Sequence, residues 1–495
     1  VDAGKQVLFL VPEIALTTHL VTRLRNAFGD IVGVYHSRFG MNERAELWRD
    51  TNSNNNRFPI IVGTRSSVFL PFQALGLIIV DEEHESSFKQ KDPAPRYQAR
   101  DLAVYMGRHY GAKVILGTAT PSIETAYNIS NKKYDICALK NRYGGFVMPK
   151  IHIIDIANSY KRKRMNGHFS EPLLAAIEDR FDRGEQVLLF QNRRGFAPKQ
   201  ECQSCGYIPH CKHCNVSLTF HKSTRLLRCH YCGYSEKTSS HCKVCNNHDL
   251  SLKGFGTEKV EEQLQDIFPD RVIRRMDLDT TRKKGTYEKL FNAFEDQEID
   301  VLIGTQMISK GLDFSNVGLV GILNADQMIH FPDFRAFERA FQMMCQVSGR
   351  AGRSKFNSEV ILQTFQPDHQ VLKWLKENNY KDFLQSQLIE RQSFRYPPYY
   401  RLIHVMIRHK KRHVLDQASS MLAQSMRTVF KHRILGPEYP VVDRVKGYFQ
   451  KQILVKLERE LSYSDAKEKL NSFINLLLIQ DNFKSGKVKI DVDPY

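Results

Sequence analysis

Four Cys-x-x-Cys pairs crowd the middle of this sequence: Cys202/Cys205, Cys211/Cys214, Cys229/Cys232 and Cys242/Cys245. Each pair can close a tight turn that puts two thiolates on one side of a metal, and two such pairs complete a tetrahedral Zn²⁺ site. Gly206, Asn215, Gly233 and Asn246 follow the second cysteine of each pair. These residue types tolerate positive φ, which lets the turn close with backbone amides facing the sulfurs. The array therefore predicts two structural zinc ions. The link from Cys214 to Cys229 holds two strand-like stretches, 216–220 and 225–228, around a polar turn. A hairpin there would oppose Cys211/Cys214 to Cys229/Cys232 and leave Cys202/Cys205 to meet Cys242/Cys245. This nested pairing is preferred to a sequential one, because the link from Cys205 to Cys211 is short for two opposed knuckles. His210, His213, His230, His241 and His248 stand nearby as bystanders. Cys137 and Cys345 should be unligated.

A second chemistry lies at strand ends. Asp81-Glu82-Glu83-His84 follows the apolar run 75–80. In a parallel α/β sheet this places carboxylates at the carboxyl end of a strand, where ligands bind. Phosphoryl transfer needs one acid to hold Mg²⁺ and another to orient the attacking water. Asp81 suits the first role and Glu82 the second, with His84 beside them. Alone, such a string is also an ordinary solvated strand end. Gly117-Thr118-Ala119-Thr120-Pro121-Ser122 follows another apolar run. Thr118 and Thr120 suit a link between the acids and a moving element, and Ser122 suits a helix N-cap. Residues 304–314 read GTQMISKGLDF, giving Gly311 and Asp313 as nucleotide-associated candidates; residues 346–353 read QVSGRAGR, giving Gln346, Arg350 and Arg353 as catalytic ones. Two arginines three apart on a helix share a face. A guanidinium brought to a phosphate by a second domain stabilises transition-state charge.

The elements that must position these residues are strands alternating with helices, which implies α/β domains with doubly wound parallel sheets. Strands are expected at 6–11, 59–64, 75–80 and 113–118, then in a second unit from about Gly184 at 186–190, 272–276, 300–304 and 317–323. The cysteine block interrupts that second unit after its first strand. From about Tyr396 the pattern changes to strand 401–408, helix 414–430, a strand within 434–442, strand 447–457, helix 464–479 and strand 487–492, a split βαβ arrangement. The expected domains are 1–138, 139–199 (linker and start of the second lobe), 200–253, 254–392 and 393–495.

The chain has 495 residues and a formal net charge of +18. That length suggests several domains, and that charge favours polyanion partners. No run of 18 apolar residues suggests a membrane span, and residues 1–6 lack the form of a signal peptide. A reducing, cytoplasmic setting is expected, with the cysteines on metal rather than in disulfides.

In order, DEEH, GTATPS, GTQMISKGLDF and QVSGRAGR resemble the second, third, fifth and sixth motifs of helicase superfamily 2. NRRGFAP at 192–198 followed by paired knuckles, RYPPYYRL at 395–402 and the ending IDVDPY resemble the PriA family of bacterial primosomal helicases, over essentially the whole chain. The resemblance implies two RecA-like helicase lobes, the first truncated, a two-zinc insertion in the second, and a C-terminal α+β domain. It implies a 3′→5′ DNA helicase using Mg²⁺ with ATP, acting on forked and single-stranded DNA. Implied partners are single-strand-binding protein, primosome proteins and the machinery that loads the replicative helicase. It assigns DNA contacts to Thr64 and Arg65 within VGTRSSVF, to Arg193 and Arg194, and to an aromatic-rich loop holding Phe88, Lys89, Lys91, Arg96, Tyr97 and Arg100. Aromatics that stack on bases and cations that hold phosphates give such a loop a sequence-tolerant grip; the plain alternative is a loop whose aromatics are simply packed. The family's phosphate-binding Gly-rich loop belongs upstream of LVPEI, and Gly4-Lys5 does not match it. An upstream segment is thus expected, and the chain as given reads alternatively as a DNA-binding fragment with poor ATP hydrolysis. A different motor, such as an RNA helicase or a RecG-like enzyme, fits the zinc insertion less well.

Overall fold

The computed structural model describes residues 1–12, 18–36, 39–53, 57–139, 141, 148–192, 200–202, 204–221, 225–248, 250–251, 257–277, 280–281, 285–308, 314–351 and 358–494. Contacts divide the chain into two compact units, one of residues 1–130 and one of residues 131–309 and 313–494.

The first unit is built on a five-stranded parallel sheet. Its strands are β1 (Gln6–Leu10), β2 (Val32–Tyr35), β3 (Ile60–Gly63), β4 (Leu75–Asp81) and β5 (Lys113–Gly117), in the order β2-β3-β1-β4-β5. Leu8, Leu10, Ile61, Ile78 and Val80 pack against Ala99, Ala103 and Met106 of the helix Ala99–Tyr110. Strands buried on both faces read as continuous apolar runs, which is why most of them were visible in the sequence. β2 was not; it is only four residues long and contains Gly33.

The second unit holds a six-stranded parallel sheet: β6 (Lys150–Asp155), β7 (Gln186–Phe190), β8 (Ile273–Met276), β9 (Val301–Gly304), β10 (Val317–Ile322) and β11 (Glu359–Thr364), ordered β8-β9-β7-β10-β11-β6. This corrects the expected start of the sheet near Gly184. β6 lies within the stretch taken mainly as a linker, and it pairs with β11 along its whole length. The cysteine block leaves from the end of β7. Its base is pinched by antiparallel pairing of Glu201 with Ser251 and Cys202 with Leu250. Beyond it, Thr219–His221, Leu226–Arg228 and Ser235–Lys237 form a small antiparallel sheet containing the expected hairpin.

The last part of this unit has strands β12 (Tyr400–His409), β13 (Ile434–Glu438), β14 (Tyr448–Glu458) and β15 (Lys487–Val492), with helices Arg412–Phe430 and Tyr463–Ile479 between them. The order β13-β14-β12-β15, antiparallel throughout, is the split βαβ arrangement. Ile403, Val405 and Ile407 of β12 and Ile453, Val455 and Leu457 of β14 face the two helices. Leu402 and Leu454 point the other way and join a cluster with Cys211, Cys214 and Cys229. Among the described residues, no helix is long and apolar enough to cross a membrane.

Candidate functional site

The eight paired cysteines form two groups, Cys202/Cys205/Cys242/Cys245 and Cys211/Cys214/Cys229/Cys232, and within each group the sulfurs lie within 4.8 Å of one another. Local backbone geometry explains the grouping. Gly206, Asn215, Gly233 and Asn246 have φ of 70°, 49°, 80° and 59°. Their amides donate to the carbonyls of Cys202, Cys211, Cys229 and Cys242 at 2.8, 3.0, 3.0 and 3.0 Å. Each knuckle is thus the same closed turn. Sulfur pairs Cys202/Cys245, Cys205/Cys242 and Cys211/Cys232 stand 3.5, 3.6 and 3.6 Å apart. Tetrahedral thiolates about 2.3 Å from Zn²⁺ would stand roughly 3.8 Å apart, so the donor set and its spacing fit two zinc ions in the nested pairing. Cys137 is exposed and lies in neither group, and neither does Cys345. The five neighbouring histidines are likewise outside both groups.

At the carboxyl ends of β4 and β5 the structure gathers Asp81, Glu82, His84, Thr118 and Thr120. Pairing of Asp81 with Gly117 continues past the strand end through the Glu83 amide, which donates to the Gly117 carbonyl at 3.1 Å. Glu82 then turns the chain with φ of 49°. Asp81 Oδ1 accepts the Glu82 amide at 3.1 Å. Burial raises the Asp81 carboxyl above its ordinary value, and that amide and the His84 ring pull partly back. The His84 ring is buried, with Nδ1 2.8 Å from the Thr118 hydroxyl and 3.5 Å from Glu82 Oε2. The Thr118 oxygen accepts the Thr120 amide at 3.0 Å.

Glu83 was passed over in the sequence, yet it anchors this corner. Its carboxylate is fully buried and accepts from the Ser122 amide at 2.7 Å, the Ser122 hydroxyl at 3.1 Å, the Thr125 hydroxyl at 2.9 Å and Arg100 at 3.0 Å. Ser122 Oγ also accepts the Thr125 amide at 3.3 Å, as an N-cap of the helix Ile123–Ser130 should.

Several expected DNA contacts have other surroundings in this conformation. Phe88 is 1% exposed and packs in the core of the first unit. Lys89 is buried, and its ammonium donates to the Arg96 carbonyl at 3.0 Å. Arg100 is buried between Glu83 and Asp101. Thr64 is buried at the end of β3. Arg65 donates to the carbonyls of Ser87 and Lys89, and Arg96 to the Lys91 carbonyl and the Asp92 carboxylate. Tyr97 donates to the Arg65 carbonyl at 3.4 Å, and its ring meets Phe69 edge-on at 4.7 Å. Phe69, 54% exposed, is the open aromatic of this corner and was not singled out in the sequence. In the second unit, Gln346 and Arg350 lie on the helix Ala336–Ala351, with Arg350 buried. Arg193, Arg194, Gly311, Asp313 and Arg353 lie outside the described residues.

Comparison with known proteins follows the same divisions. Residues 1–129 match the DEAD/DEAH box helicase family and 252–355 the helicase conserved C-terminal domain. Residues 211–237 match the PriA DNA helicase Cys-rich region and 392–495 the primosomal protein N C-terminal domain. The chain is 38% identical over 494 residues to replication restart protein PriA of Bacillus subtilis, covering 99% of this chain and 60% of that protein. It is 37% identical over 494 residues to the Rickettsia felis protein of the same name, covering 99% of this chain and 74% of that one. It spans 65% of the Chlamydia muridarum relative, at 38% identity. RecG bound to a three-way DNA junction aligns over 78% of this chain and 40% of its own at 13% identity, with a TM-score of 0.40.

Proposed function

This chain belongs to the PriA family of replication restart proteins, and on that premise we propose that the whole protein is an ATP-driven 3′→5′ DNA helicase that acts at stalled forks and starts primosome assembly. The observation that carries the reading is the grouping of Asp81, Glu82, His84 and Thr118 at the ends of two adjacent parallel strands. Asp81 would hold Mg²⁺ with ATP, and that ion would neutralise phosphate charge. Glu82 orients the attacking water, and His84 ties it to Thr118. Gln346, Arg350 and Arg353 supply polar and positive groups to the reacting phosphate, and Gly311 and Asp313 are nucleotide-associated in the same reading. Zinc holds the knuckles in shape. Forked and single-stranded DNA are the substrates in this reading. Single-strand-binding protein, primosome proteins and the helicase loader are its partners, and the setting is cytoplasmic.

One feature favours a second reading for the 495-residue chain by itself. β5, the outer strand of the first sheet, leaves Ile115 53% exposed, whereas parallel strands are ordinarily covered. We place a further element of the whole protein against this strand and assign the phosphate-cradling loop to it. The chain alone then binds DNA with little turnover. The test is DNA-stimulated ATP hydrolysis by this chain and by the whole protein, each with Glu82 intact or as Glu82→Gln. The reading expects turnover only in the whole protein with Glu82. Full turnover in the Glu82→Gln variant would overturn the role of that acid, and full turnover in the short chain would overturn the placement of the loop.

A further inference from the structure

The two zinc centres have different surroundings, and the difference divides their work. The outer group, Cys202/Cys205/Cys242/Cys245, reaches the helicase sheet through its first knuckle. Gly206 lies against Phe365 and Gln366, just past the end of β11, and its carbonyl accepts from the Gln366 side chain. Cys245 is exposed, and neighbouring Val244 is 67% exposed.

The inner group, Cys211/Cys214/Cys229/Cys232, sits in a seam. Three of its cysteines share one apolar cluster with Phe334 of the helicase unit, Tyr396 of the connecting segment, and Leu402 and Leu454 of the C-terminal sheet. Polar contacts bind the same seam from both knuckles. Tyr396 donates to the Cys214 carbonyl at 3.0 Å, and its ring stacks on Phe334 at 4.4 Å. Gln452 of β14 donates to the His230 carbonyl at 2.7 Å, and His230 Nδ1 is 2.6 Å from the Tyr439 carbonyl. Arg228 pairs with Glu438 at the end of β13. The carbonyls of Cys214 and His230 belong to the knuckles themselves, so their positions depend on closed turns.

Charge adds to this. Four thiolates around one Zn²⁺ leave two negative charges on the centre. Lys456 of β14 is buried on this side of the C-terminal sheet, with its ammonium 3.7 Å from the Tyr396 ring centroid and donating to the Phe394 carbonyl at 2.7 Å. A buried cation needs an opposite charge nearby. The loaded inner centre supplies it from just beyond Tyr396; four neutral thiols would not.

We propose that the inner zinc is the latch that fastens the C-terminal domain, 393–495, to the helicase unit, and that the outer zinc takes no part in this docking. Domain attachment is then metal-dependent at one site only. Losing the inner ion costs the carbonyl contacts, the packed face and the countercharge of Lys456 together.

The test uses the full 495-residue chain with metal content measured by elemental analysis and backbone amide exchange followed by mass spectrometry. Cys232→Ser and Cys245→Ser each remove one ligand, from the inner and outer group respectively. In Cys232→Ser, exchange in the seam segments 393–400 and 434–440 should speed up at least roughly tenfold, the scale expected for two lost hydrogen bonds. Exchange in the apolar strands β7 and β10 should not change. In Cys245→Ser the seam should stay within about twofold of the parent. Equal loosening by both variants, or none by Cys232→Ser, overturns the proposal. If Cys232→Ser unfolds the helicase sheet as well, seen as fast exchange in β7, the double variant Tyr396→Phe/Gln452→Ala decides. It leaves all eight ligands in place and should retain two zinc ions while loosening the seam. Unchanged seam protection in that variant also overturns the proposal.

Discussion

His84 Nδ1 lies 2.8 Å from the Thr118 hydroxyl, a hydrogen bond that joins the turn after β4 to the loop after β5 alongside the Glu83–Ser122 contacts. Glu82 lies on the near side of that ring at 3.5 Å, and Thr120 hangs from the same hydroxyl through its amide. A shift of the Thr118–Ser122 loop is therefore felt at Glu82, the acid proposed to orient water. In the whole protein, Thr118→Val should leave ATP binding unchanged. It should lower DNA stimulation of hydrolysis by roughly tenfold, the effect of losing about 1.4 kcal/mol of coupling. Steady-state rates with and without DNA check this; an unchanged stimulation ratio would remove Thr118 from the coupling path.

Arg100 should matter through stability. Its guanidinium and the Glu83 carboxylate are both buried and 3.0 Å apart. Arg100→Ala strands a buried carboxylate and should cost about 3–5 kcal/mol. Arg100→Met/Glu83→Leu removes both charges and should recover part of that loss. Urea unfolding of the three chains measures it. Unaltered stability in Arg100→Ala together with lost DNA binding would instead support the DNA contact expected from the sequence.

Thiol chemistry separates the ten cysteines. Purified without chelator, the chain should hold two zinc ions per molecule by elemental analysis. Alkylation of the folded, metal-loaded chain near neutral pH should mark Cys137, which is exposed. Burial pushes the Cys345 thiol up to about 12, so it remains protonated and slow to react until the pH approaches that value. Rapid labelling of Cys345 near pH 8, or a zinc content changed by Cys345→Ala, would contradict this assignment.

Acid should destabilise the second unit through His369. Burial pushes its ring from the ordinary 6.5 down to about 4. The unfolded chain takes up this proton below about 6.5 and the folded chain only below about 4. Its contribution to stability is thus full at higher pH and falls away as the pH drops between these values. His369 caps the helix Gln370–Lys376, accepting the Val371 amide at 3.3 Å, a cap that asparagine can also provide. The drop in thermal midpoint between pH 7.5 and pH 5 should be smaller in His369→Asn than in the parent, with zinc loss common to both. Equal drops would show that His369 titrates normally.

What could be read from the sequence was what local chemistry determines. The zinc knuckles declared themselves because the cysteine spacing and the Gly or Asn after each pair specify a turn that closes on itself. The C-terminal domain was visible because long apolar strand runs, β12 and β14, are each followed by an amphipathic helix. By contrast, β6 carries Lys150, His152 and Asp155 and is a strand because it finds β11, some two hundred residues away. The aromatic-rich loop shows the same limit. Its composition announces rings and cations, but Phe88 turns into the apolar core and Arg100 turns inward to Glu83, which is held by Ser122 and Thr125 in another element.

The pinch at the base of the cysteine block bears on how the protein is made. β7 emerges early and cannot pair with β9 or β10 until everything between them has been synthesised. A long open segment raises the entropic cost of that closure and slows it. Once Glu201 and Cys202 are paired with Ser251 and Leu250, the intervening chain counts as a short connection. Cys202 and Cys242 lie on the two sides of this pinch and belong to one metal group. Uptake of that ion during synthesis would therefore speed assembly of the helicase sheet, and zinc starvation would lengthen the time its apolar strands stand exposed to aggregation.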